Sequence, residues 1–104
     1  MANIVQIQVT QCDNELSLVA STPAGSSELC HLKSGFNNPV SYTFVPQSIL
    51  ASGSYTLTVI GLNWGGPSGF TVILTDSTGA KQTITGGTGL PTGGVFSQAV
   101  AITV

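Results

Sequence analysis

Apolar side chains recur at every second position along most of this chain, and no other feature limits its possible folds so tightly. In VQIQVT, Val5, Ile7 and Val9 alternate with Gln6, Gln8 and Thr10. Val40, Tyr42 and Phe44 alternate with Ser41 and Thr43, and SYTLTV sets Tyr55, Leu57 and Val59 against Ser54, Thr56 and Thr58. FTVILT repeats the pattern with Phe70, Val72 and Leu74. The tail does so with Phe96, Val100, Ile102 and Val104, Gln98 being the exception. A period of two in segments rich in Val, Ile, Thr and aromatics describes strands with one buried face.

Turn chemistry separates these runs. DSTGAK (76–81) reads as a hairpin connection, TPAGSS (22–27) and Asn37-Asn38-Pro39 as breakers, and GGTGLPTGG (86–94) as a long glycine-rich loop. Strands are expected near 3–10, 15–21, 28–33, 40–45, 54–62, 69–76, 81–86 and 95–104. No substantial helix is supported; PQSILAS (46–52) suits one short turn. Seven or eight short antiparallel strands at this spacing predict a single all-β domain over 1–104, a β-sandwich, with a small barrel as the alternative. One local motif points to the sandwich. ASGSYTLTV resembles the turn-then-strand that carries a tyrosine corner in immunoglobulin-like folds, with Tyr55 in the tyrosine's place. Leu57 stands where an immunoglobulin domain has its second cysteine, and about three strands follow instead of one. The resemblance therefore implies architecture and not ancestry.

Only 6% of the 104 residues are charged, against a usual share of about 25%. They are Asp13, Glu15, Glu28, Lys33, Asp76 and Lys81; His31 is the single histidine and arginine is absent. Two lysines and a net charge of −2 cannot neutralise a phosphate backbone or hold an anionic bilayer, so no nucleic-acid partner is expected. No apolar run approaches the roughly 18–20 residues that span a membrane, so no membrane insertion is expected either. A surface of Ser, Thr, Asn, Gln and Gly gives little electrostatic protection against self-association. Edge strands lack most of the lysine and proline that usually blunt them. A homo-oligomer, a dimer or higher, is expected. The opening MANIVQIQVT has no basic n-region and no apolar h-region. Cytoplasmic synthesis and a mature secreted chain remain equally open.

Chemistry-bearing residues are few. Cys12 and Cys30 could close a disulfide loop of about 18 residues, stabilising the fold by roughly 3 kcal/mol, or remain reduced. With His31 they are too few and wrongly spaced for zinc. On a strand, Cys30 and His31 point to opposite faces and cannot act as a pair. Asp13 and Glu15 read as part of a turn, QCDNEL, with too few oxygens for calcium. No enzyme activity, metal or cofactor is expected.

One residue stands out against this background. Trp64, the only tryptophan, lies in GLNWGGPSGF, among residues poorly suited to regular structure. A related pattern precedes it by 28 positions. Phe36-Asn37-Asn38-Pro39 leads to Tyr42-Thr43-Phe44 as Trp64-Gly65-Gly66-Pro67 leads to Phe70-Thr71-Val72. Two readings of Trp64 stay open. It is a lid folded over the open end of the sandwich with its N–H on a loop carbonyl, or a platform for a ligand. A sugar presents an apolar face that an aromatic ring covers and a rim of hydroxyls that a carboxamide can bind. The sequence thus points to a non-catalytic, lectin-like carbohydrate-binding protein recognising glycans or another neutral ligand, multivalent through oligomerisation. The candidate ligand residues are Trp64 and Asn63, then Asn37, Asn38 and Phe36, with Asp76 as a further hydroxyl acceptor. The alternative is a self-associating structural or adhesin-type subunit.

Overall fold

The computed structural model describes residues 2–34 and 40–104. Phe36, Asn37 and Asn38, and with them the proposed echo of the tryptophan loop, lie outside the described residues. Eight strands run in chain order: β1 (Ile4–Asp13), β2 (Glu15–Thr22), β3 (Gly25–Lys33), β4 (Tyr42–Phe44), β5 (Ser54–Leu62), β6 (Gly69–Asp76), β7 (Lys81–Gly86) and β8 (Val95–Thr103). One 3-10 turn, Pro46–Ser48, is the helical element among the described residues. The strands form two four-stranded antiparallel sheets, ordered β4-β1-β6-β7 and β3-β2-β5-β8. They pack face to face as a β-sandwich, and the sheets do not close into a barrel.

Alternation fills the space between the sheets. Ile7 and Val9 of β1, Leu16 and Leu18 of β2, Leu57 and Val59 of β5, and Phe70, Val72 and Leu74 of β6 are buried, with Ile84, Ile102 and Val104 completing the core. β1 departs from strict alternation. Register shifts at Val5 and Thr10 bring Ile4 and Cys12 inward beside Ile7 and Val9 and leave Val5 half-buried. Each bulge inserts one unpaired residue and so reverses which parity faces the core. Tyr42 is exposed because β4 is a three-residue edge strand. Tyr55 donates its hydroxyl to the Ala51 carbonyl at 2.7 Å, the local bond expected of a tyrosine corner.

Cys12 and Cys30 are free thiols and do not form the bridge that the sequence allows. Cys12 lies on β1 opposite Phe70, and Cys30 lies on β3 of the other sheet opposite Leu18. The Cys12 thiol points to the Leu32 carbonyl, at 3.7 Å, instead of to the Cys30 sulfur. Burial is the first cause that pushes both thiols up, Cys12 to about 12 and Cys30 to about 11.

Among the described residues three connections cross between the sheets at one end of the sandwich, β1 to β2, β5 to β6 and β7 to β8, and β3 ends there too. The register fixes this end, because Glu15 pairs with both Lys33 and Leu62, Leu62 with Val95, Asp13 with Gly69, and Phe70 with Gly86. Loops gathered at the end of a sandwich are free to carry recognition while the sheets hold them.

Candidate functional site

Trp64 lies at this end, just beyond β5, and is 59% exposed. It is therefore not a lid on the core. Phe70 closes this end of the core instead. Its ring lies 5.9 Å from that of Phe96 and nearly parallel to it. Gly61 leaves room for it, since a Cβ there would meet three Phe70 ring atoms at 2.7 Å. Gly87, at φ +74°, passes the same ring equally closely.

An exposed indole would ordinarily sample many rotamers. This one is held. Its backbone N–H donates to Asn14 Oδ1 at 2.8 Å, and its ring N–H donates to Glu15 Oε1 at 2.7 Å. The other carboxylate oxygen of Glu15 meets His31 Nε2. Charge-assisted bonds of this kind are the stronger ones. They also act on the acid: the Trp64 N–H first, and then His31, hold the Glu15 carboxyl below the usual glutamate value. Asn14 joins the crossings together. Its N–H donates to Leu62 O, its carbonyl accepts from Ser34 N–H, and its side chain accepts from Trp64.

A shallow depression of ≈ 390 Å³ opens beside the ring, lined by Asn14, Glu15, Lys33, Ser34, Trp64 and Gly65. Its contents are unusual for so uncharged a chain. Three of the six charged residues, Asp13, Glu15 and Lys33, lie at this end with the only histidine. Of these, Glu15 and Lys33 line the depression beside an apolar ring whose own N–H is already occupied.

The other residues singled out in the sequence fall elsewhere. Asn63 is buried beneath the site, 1% exposed. Its amide nitrogen donates to Leu90 O at 2.7 Å and Gly66 O at 3.0 Å, and its oxygen accepts from Gly65 N–H at 3.0 Å. With Ser68, whose hydroxyl bonds Gly87 O and accepts from Leu90 N–H, it ties the tryptophan loop to the 87–94 loop. Its carboxamide shapes the platform and is not presented to solvent. Asp76 lies at the opposite end, where one carboxylate oxygen accepts from Thr78 and Ala80 in the β6–β7 turn. Sequence reasoning did not assign Asn14, Glu15, His31, Lys33 or Ser34 to the ligand site. Clustering of scarce charges at strand ends was the available signal. Compared with protein-family models, curated proteins and solved structures, the chain matches none, so the chemistry of this site rests on its own residues.

Proposed function

We propose that the protein is a non-catalytic, lectin-like module that binds a saccharide on the exposed face of Trp64. The supporting observation is a tryptophan that is 59% exposed yet held by one hydrogen bond from its ring and one from its backbone, beside an open depression. Leaving an aromatic ring of this size in water forgoes roughly 1.5–3 kcal/mol of burial. Fixing it in advance removes part of the entropy that binding would otherwise lose. The ring covers the apolar face of a pyranose. Around it Lys33 donates, and Glu15 and Asn14 retain acceptor lone pairs for hydroxyls. Several copies in one particle would raise the avidity of such an open, weak site.

The alternative, a self-associating structural or adhesin-type subunit, draws on the uncharged strand β8 at the edge of its sheet. A glycan array probed with wild type and Trp64→Ala separates the two. Binding to a restricted set of glycans, weakened roughly 30-fold by the loss of about 2 kcal/mol in the variant, is the expected result. Equal binding by both proteins, or none by wild type, would remove the proposal.

A further inference from the structure

Four strands lie at sheet edges, and three of them are blunted. β3 carries Glu28, His31 and Lys33 and is bulged at Leu29. β4 has three residues. β7 has six and begins with Lys81. β8 has no such device. It is nine residues long, VFSQAVAIT, without charge or proline, and pairs with β5 without a shift in register.

The hydrogen-bond phase of β8 follows from its two ends. Gly53 and Val104 exchange both backbone bonds, and Asn63 N–H donates to Gly94 O. Alternation between these points gives the bonded pairs Tyr55–Ile102, Leu57–Val100, Val59–Gln98 and Gly61–Phe96. Val95, Ser97, Ala99 and Ala101 therefore turn their N–H and C=O groups away from β5, toward the open edge. The same four side chains are exposed on the face opposite the core. Three of them are Ala or Ser, too small to obstruct an approaching strand.

We propose that β8 forms the two-fold interface of a dimer of this chain. The two strands run antiparallel, with Ala99 opposite Ala99 of the second copy and Ser97 opposite its Ala101. This register sets edge-facing backbone groups against one another in hydrogen-bonded pairs and places small side chains side by side. It joins the two sheets into one, ordered β3-β2-β5-β8-β8-β5-β2-β3. A second copy fits better than any other strand of the molecule because β8 is complementary to itself, whereas β3, β4 and β7 are charged, bulged or short. The contact is isologous, so it closes at two chains and leaves bare only the edges that are charged, bulged or short. It is independent of what Trp64 binds, and it gives the particle two Trp64 platforms.

Sedimentation velocity across micromolar concentrations tests it. Wild type is expected at twice the 10.6 kDa chain mass. Ala99→Lys, which sets two ammonium groups face to face, should weaken the dimer at least about tenfold. Thr83→Lys, on the other sheet, should leave it intact. Amide exchange on wild type gives a second reading that does not depend on a variant folding. Ser97, Ala99 and Ala101 amides should be protected at high concentration and lose protection on dilution, while Val100 is unchanged. A wild type that stays monomeric at 100 μM or grows without limit, an Ala99→Lys protein that dimerises undiminished, or exchange at those amides independent of concentration would each overturn the proposal.

Discussion

Trp64 and Phe70 divide between them two roles that one ring is often asked to fill. Phe70 is 1% exposed and carries the packing at the loop end of the core. Trp64 is held in place from outside. Their truncations should differ accordingly. Phe70→Ala is expected to lower stability by about 3–5 kcal/mol in urea unfolding, and Trp64→Ala by less than about 1 kcal/mol. Comparable losses would mean that the indole supports the fold after all. Gly61→Ala should lie between them, at about 1–3 kcal/mol, because its methyl group would enter the Phe70 ring. Glu15 gives the site a pH signature. Its folded carboxyl is held low by the Trp64 N–H and by His31, with Lys33 contributing. The stabilisation is complete above the unfolded glutamate value and is lost as pH falls through the lower folded one. Tryptophan emission should therefore titrate below the usual glutamate range, and Glu15→Gln should abolish that titration. A midpoint at or above the ordinary glutamate value would contradict the arrangement.

Two loops act as one element. Asn63 and Ser68 bind the tryptophan loop to the glycine-rich 87–94 loop through three side-chain hydrogen bonds, and Asn63 makes two more within its own loop. Asn63→Ala removes one of the bridging bonds and both of those within its loop. It should cost about 1–3 kcal/mol and speed amide exchange in both loops, not in one. Exchange confined to residues 63–68 would show that the loops are independent. The strands themselves were legible because turn residues and a period of two mark them directly. Tyr55 showed the corner at the start of β5 for the same reason. Bulges were not legible. A β2–β3 hairpin pairing Thr22 with Gly25 throughout would set Leu16 opposite His31 and turn the imidazole inward. The extra residue at Leu29 pairs Glu15 with Lys33 instead. His31 and Lys33 then share the outer face with Glu15, while Cys30 and Leu32 pack against the core.

Across the whole molecule, all but six side chains are uncharged, and half of the charged ones stand at one end. Cohesion therefore comes from the apolar layer between the sheets and from ladder hydrogen bonds, with no cross-link between them. Alkylation in denaturant without reductant should add two groups per chain, as read by intact mass. An unmodified mass would reveal a disulfide. In the folded state, burial and raised thiol pKa should make both cysteines slow to react near neutral pH.

Composition and periodicity alone determined an all-β chain with near-neutral surfaces, the number and order of its strands, and a tryptophan lodged in a turn, although β1 runs on to Asp13 and β3 begins at Gly25, inside the stretch read as a breaker. These are local properties, fixed by which residues tolerate an extended or turning backbone. Tertiary structure decided which chain segments meet. Asn14, Glu15, His31, Lys33 and Trp64 come from three separate stretches of sequence. They meet because strand pairing and a single bulge put β2, β3 and the end of β5 side by side. The same pairing buried Asn63 and left Trp64 outside, while Phe70 fills the loop end of the core.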